Sequence, residues 1–174
     1  MKVILTIAVC LIVSIQCAIG QAAIKELQPS AYFDFWIGEW ELRWQSADGT
    51  TEHGTNTIER ILSNKVIKEN FEATSGQMKG YIGKSYSVYN PKTGEWKQTW
   101  VDNQGAYLDF TASFSGNKRI FKRKTADSLG NDIIQRMVFY DISEDSFMWD
   151  WQQSTDNGKS WQLMWKIAYR RVGE

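Results

Sequence analysis

Cysteine, histidine and net charge are all scarce in this chain, and each shortage removes a class of chemistry. Only Cys10 and Cys17 occur among the 174 residues. Both fall in a segment read below as a removable leader, so the mature chain is expected to have neither disulfides nor thiol chemistry. His53 is the single histidine, and zinc sites want several histidine or cysteine ligands, so no metal site of that kind is expected. Twenty basic side chains against twenty acidic ones leave no net charge. That balance gives no electrostatic reason to expect nucleic acid or an anionic membrane as partner. Past residue 20 there is no second long hydrophobic run, hence no expected integral membrane segment. A Gly-rich phosphate loop and a nucleophile elbow are also missing, and no cofactor is expected.

The first twenty residues have the layout of a secretory signal peptide. Met1-Lys2 is a short positive start, Val3–Ile15 is an apolar stretch broken only by Thr6 and Ser14, and Ala18-Ile19-Gly20 supplies small residues for cleavage. Gln16 is a poor neighbour for a lipid-modified Cys17. The reading is a signal peptide over 1–20, a secreted or periplasmic location, and one domain over 21–174. About 154 residues are a normal size for a domain with its own core.

Tryptophan is what the chain has in abundance. Nine indoles stand mostly in pairs: Trp36, Trp40 and Trp44, then Trp96 and Trp100, Trp149 and Trp151, Trp161 and Trp165. A spacing of four fits a helix face, and it equally fits one face of a strand, where i, i+2 and i+4 point the same way. Between Trp36 and Trp44 the even positions read Trp, Gly, Trp, Leu, Trp, while the odd ones are mostly charged. That alternation predicts strands that turn indoles inward. Turn signals then recur at short intervals, among them Asp48-Gly49, Ser63-Asn64, Asn90-Pro91-Lys92-Thr93-Gly94, Gly116-Asn117 and Asp156-Asn157-Gly158. They divide the chain into about ten strands, preceded by a helical turn around residues 29–35. Ten strands joined by short links would leave exposed edges unless the sheet closes. The predicted fold is therefore all-β, a single up-and-down antiparallel barrel. A β-sandwich would need a long crossover, and none is visible.

Gly38-Glu39-Trp40 on the first strand, with Arg170-Arg171 at the end of the last, resembles the signature of the calycin superfamily. In lipocalins and their relatives a Gly-x-Trp closes the barrel floor, and a basic residue of the last strand stacks on the indole through a cation–π contact. Trp161, Leu163, Trp165, Ile167 and Tyr169 share one phase, which makes Arg171 the inward member of the pair. Three landmarks extend the resemblance: Phe33-Asp34-Phe35-Trp36-Ile37-Gly38-Glu39-Trp40, Ile58–Leu62, and the run from Tyr89-Asn90-Pro91 to Trp100-Val101-Asp102. With the Ser154–Trp161 turn they look like an uncharacterised family of secreted bacterial proteins with a lipocalin-like domain. The resemblance implies a barrel and an exported protein, and it carries no substrate or catalytic residue. Ser154-Thr155-Asp156-Asn157-Gly158-Lys159-Ser160-Trp161 is similar to the Asp-box of sialidase-type propellers. There Asp caps amides, Gly takes a positive φ and Trp packs beneath, so Asp156, Gly158 and Trp161 are assigned a structural role only.

Function has to be sought among the polar residues that alternation places between aromatics. Glu69 lies between Ile67 and Phe71, Gln98 between Trp96 and Trp100, and Gln135 between Ile133 and Met137. A polar group buried without a partner costs about 1–3 kcal/mol, so these groups either bond to one another or line a chamber that holds a ligand. The expectation is a chamber walled by Trp44, Trp100, Trp149 and Trp151, with Glu69, Gln98 and Gln135 as its polar contacts and a small hydrophobic or amphipathic molecule as partner. Two rivals stand beside it. One is a filled barrel that acts through its outer surface. The other is a lyase or isomerase with Glu69 or Glu59 as base and a tyrosine as acid. His53, among threonines beside the first hairpin, reads as a solvated strand end. Barrels resembling nitrobindin take their haem ligand from late in the chain, so His53 is assigned no haem.

Overall fold

Inward–outward alternation, clearest in the first four strands, rolls the chain into a wall that meets itself. The computed structural model describes residues 27–173; the proposed leader over 1–20 lies outside the described residues. Ten strands follow in order: β1 Gly38–Gln45, β2 Thr51–Ile61, β3 Val66–Ala73, β4 Ile82–Asn90, β5 Glu95–Asp102, β6 Tyr107–Ser115, β7 Lys118–Ala126, β8 Asp132–Tyr140, β9 Ser146–Ser154 and β10 Gln162–Arg171. Each pairs antiparallel with its neighbour in sequence, and β1 pairs with β10 to close the barrel. Closure removes the open edges that a ten-strand sheet would otherwise expose. No helix among the described residues is long and apolar enough to cross a membrane.

Three local departures from regularity matter for the interior. Trp36 does not belong to β1; it ends the second of two 3-10 turns, Pro29–Ala31 and Asp34–Trp36, yet is still buried. A register shift between Leu163 and Trp165 breaks the phase of β10. Leu163 therefore faces outward and Trp161 lies beneath the Arg136 guanidinium, 3.6 Å away, while Trp165, Ile167 and Tyr169 serve the interior. The β6–β7 ladder runs only from Thr111–Lys122 to Ser115–Lys118, so residues 107–110 and 123–126 face each other across the wall without pairing.

One end of the barrel is plugged. Phe33 stacks on Phe121 at 4.6 Å and meets Trp96 edge-on at 5.1 Å, while Trp36 meets Phe139 edge-on at 5.2 Å. Both plug residues are almost wholly buried, and each such side chain contributes roughly 1.5–3 kcal/mol. Backbone anchors hold the plug in register: Trp96 Nε1 donates to Pro29 O at 2.8 Å, Arg119 Nε to Tyr32 O at 3.1 Å, and Arg60 pairs with Asp34.

The seam between first and last strands is tied at the same end. Trp40 and Arg171 are directly paired, and the guanidinium carbon lies 4.2 Å from the indole centroid. The same guanidinium donates to the carbonyls of Ile37, Phe35 and Glu144 at 2.8, 3.1 and 2.8 Å. Gly38 makes this approach feasible: a Cβ there would sit 2.1 Å from Arg171 Nη1, and its φ of +137° is one that side chains avoid.

Candidate functional site

Above the plug the strands do not fill the lumen. A cavity of about 180 Å³ remains, with Trp36, Phe139 and Tyr169 toward the floor. Trp100, Phe110, Trp149, Trp151 and Trp165 form its upper wall, and of these only Phe110 is fully buried. Half-buried rings at the top and sealed rings at the bottom give the chamber a mouth at the end opposite the plug. For scale, an engineered apolar cavity of about 150 Å³ holds benzene, so this one accommodates a substituted aromatic ring.

The rings hold each other edge-on, the arrangement their quadrupoles favour. Trp165 stands nearly perpendicular to Trp44 at 5.3 Å, to Phe71 at 5.9 Å and to Trp149 at 5.8 Å. Trp100 is fixed differently. It lies flat over Gly83 of β4, where a Cβ would fall 1.9 Å from the indole Cζ2. Its N–H donates to Asp102 Oδ2 at 3.1 Å, which also accepts from Tyr81 Oη at 2.8 Å. Against some desolvation, hydrogen bonds from the Ala106 N–H, Trp100 and Tyr81 hold Asp102 below its ordinary carboxylate value.

Glu69 is the ionisable carboxyl of the chamber wall. Asn56 Nδ2 donates to its Oε1 at 2.7 Å and Ser85 Oγ to its Oε2 at 2.5 Å. Desolvation outweighs those two bonds and pushes the carboxyl up to about 7. Asn56 also donates to Tyr169 Oη at 3.3 Å, and burial, with the nearby Glu69 charge, drives that phenol well above its usual range. Two chamber indoles, Trp36 and Trp165, have buried N–H groups with no acceptor, each an uncompensated cost of about 1–3 kcal/mol.

Of the residues expected at the site, Glu69, Trp100, Trp149 and Trp151 line the chamber, whereas Trp44, Gln98 and Gln135 do not. Trp44 lies over Gly54 with its N–H on Glu52 Oε2 at 2.9 Å, filling space beside Trp165. Gln98 is buried but lies sideways on β4, where the small Ser85 and Ser87 accept its amide at 3.3 and 3.0 Å. Gln135 is caught in a cross-strand row, accepting from Arg123 at 3.4 Å and donating to Gln153 at 3.3 Å, its direct register partners. Glu59 points out of the barrel and pairs with Lys68 at 2.7 Å, which removes it as an internal base. His53 is exposed on β2. Asp156 accepts from Ser154 Oγ, Ser160 N and Ser160 Oγ, bracing the last hairpin. Gly158 takes φ +85° there and its carbonyl accepts from Trp161 Nε1. Among the described residues no cluster of three or more His, Cys, Asp or Glu side chains is placed to hold a metal.

Sequence reasoning missed Glu52, Asn56, Gly83 and Ser85. Glu52 and Asn56 alternate inward on β2, which begins at Thr51. Gly83 had a signal: glycine inside a strand often marks the close approach of another group.

No protein-family model and no curated protein matches the chain. Among solved structures it is similar to a de novo designed fluorescence-activating β-barrel, at 15% identity over 82% of this chain and 98% of that one, with a TM-score of 0.44. It is also similar to a redesigned β-barrel, at 14% identity over 83% of this chain and 96% of that one, with a TM-score of 0.40.

Proposed function

We propose that this chain is an exported, lipocalin-like barrel that binds a small, mostly apolar molecule in its chamber. The observation that carries the binding reading is the cavity of about 180 Å³ left open among aromatic side chains in a barrel otherwise packed to its floor. A filled barrel would close that space, because emptying a core of this kind costs stability. Export and the lipocalin-like relationship rest on the apolar run of Val3–Ile15 and on Gly38-x-Trp40 with Arg171. Calorimetric titration of the full chain with one-ring aromatic compounds tests the binding. A dissociation constant in the micromolar range, about −8 kcal/mol, is expected, and Trp151→Ala should weaken it. If no compound of this size binds below about 1 mM, the reading is wrong.

One observation favours a second reading, a lyase or isomerase. Glu69 is a buried carboxyl raised to about 7 in the same chamber as the Tyr169 phenol, and a base poised near neutrality suits proton abstraction. Against it, both Glu69 oxygens already accept hydrogen bonds from the wall. Solvent-deuterium exchange into a bound carbon acid separates the readings. Exchange that Glu69→Gln abolishes supports the enzyme, and binding without exchange supports the carrier.

A further inference from the structure

The outer wall carries a hollow of its own. Where the β6–β7 ladder stops, beyond Thr111–Lys122, a cleft of about 890 Å³ reaches from the β2–β3 turn across β4, β5 and β6 to β7. Phe110 is the one side chain it shares with the chamber. The lining is divided. On one side Leu62, Val66, Tyr86 and Val88 offer apolar surface, and Leu62, Tyr86 and Val88 are 71%, 41% and 39% exposed. On the other, Lys97, Lys122, Arg123 and Lys124 stand against one carboxylate, Asp109. The cleft thus holds a marked positive excess in a chain with no net charge. Among the described residues Lys122, Arg123 and Lys124 form no ion pair, and Lys97 has Glu95 at 4.0 Å. Lysines on an unpaired edge guard against strand pairing, and Lys122 and Lys124 fit that role. It disfavours a second edge strand as occupant. It explains neither Lys97, which lies within the paired part of β5, nor the bare hydrophobics beside the cations.

We propose that this cleft is a ligand site separate from the chamber, taking a free alkyl chain that ends in an anion such as a carboxylate. Val66, Val88, Lys97, Thr111 and Lys122 stand in one cross-strand row, so the apolar and cationic sides are joined along a single line. Three strand spacings, about 14 Å in all, separate Val88 from Lys122, a span suited to a chain of about ten carbons. The chain lies along Val66, Val88 and Tyr86, and its head meets the lysines. Lys97 already reaches toward β6, donating to Thr111 Oγ1 at 2.8 Å. Compact ammonium groups on flexible stems follow a head group that has no fixed orientation, and the stems themselves add apolar contact. The site does not depend on the chamber's binding a ligand.

Decanoate, decanol and decyltrimethylammonium share one chain and differ in head charge. Each is titrated calorimetrically into the full chain, into Lys97→Gln/Lys122→Gln/Lys124→Gln and into Trp151→Ala. Decanoate should bind about tenfold more tightly than decanol, since three exposed charge contacts of modest strength act together, and the cation should bind weakest. The triple variant alters exposed side chains only and should abolish that preference, as should salt at about 1 M, where charges are screened beyond about 3 Å. Trp151→Ala changes the chamber and should leave decanoate affinity within about twofold. Decanoate affinity untouched in the triple variant, or lost in Trp151→Ala, overturns the inference and leaves the chamber reading to its own test. So does a failure of decanoate to bind below about 1 mM. Binding to phosphatidylglycerol vesicles without binding of free decanoate would give the cations to a membrane surface and overturn it equally.

Discussion

Replacing Glu69 by glutamine should stabilise the barrel in mild alkali and leave it nearly unchanged in mild acid. Desolvation in the aromatic chamber raises this carboxyl from 4.5 to about 7, in spite of its bonds from Ser85 and Asn56. In the unfolded chain the group returns to its ordinary value. Between about pH 4.5 and 7 the folded protein therefore holds a proton that the unfolded chain has released, and stability falls as pH rises through that window. The stabilising contribution of the protonated form is complete below about 4.5 and gone above about 7. A rise from 4.5 to about 7, at about 1.4 kcal/mol per pH unit, gives a loss of about 3–4 kcal/mol, or roughly 6–16 °C in Tm for a domain of this size. Glutamine has the same shape and does not ionise. Its oxygen can keep the Asn56 bond while the Ser85 hydroxyl rotates to accept from its amide. Thermal melts of both proteins from about pH 5 to 8 make the comparison, and that range avoids the acid limb. There Asp48 and Asp156, held down to about 2 mainly by hydrogen bonds from Ser46 and Ser160, and Asp102 and Asp127, also held low, lose their contributions only as pH falls through their depressed values. Parallel pH profiles for the two proteins would refute the reasoning.

Arg171→Ala should cost about 2–4 kcal/mol in urea unfolding, since it strips three backbone carbonyls of their donor and uncovers Trp40, while the exposed Arg170→Ala should stay within about 0.5 kcal/mol; equal losses would contradict the seam. Gly83→Ala should drive Trp100 off the wall, weakening ligand binding by at least about tenfold and shifting tryptophan emission; unchanged emission would show that the indole does not lie on Gly83. Asp156→Ala should loosen the last hairpin, raising its amide hydrogen exchange, yet leave chamber affinity unaltered because the brace is outside the lumen; altered affinity would place the hairpin in the site.

The wall of the barrel was legible because alternation is a property of single residues. Trp40, Leu42 and Trp44 declare the inner face of β1 without help from any other strand. The chamber was only half legible because a lining residue is defined by what stands opposite it. Gln98 and Glu69 look alike in sequence, each between two inward hydrophobics. The difference lies across the sheet: Ser85 and Ser87 give the Gln98 amide a place to lie against the wall, whereas Glu69 remains on the lumen. Gln135 was misjudged for the same reason, since its register partners Arg123 and Gln153 are polar. The bulge between Leu163 and Trp165 is likewise invisible in the periodicity of β10 alone, and it is what turns Trp161 out of the barrel.

A closed barrel is a hoop, and a hoop under thermal load yields at its thinnest joint. Here the shortest ladder, four positions between β1 and β10, is reinforced by the Arg171 clasp, which leaves the β5–β6 and β6–β7 ladders of five positions each as the thinnest joints without one, against eight positions between β1 and β2. The unjoined stretch sits at the half of the barrel where Leu108 and Phe110 border the chamber. Parting β6 from β7 breaks fewer ladder bonds than parting β1 from β2 and meets no clasp like that of the β1–β10 seam, so opening fluctuations favour this joint. The hoop thus yields sideways into its own cavity, while the clasp of Trp40 and Arg171 keeps the opposite end shut.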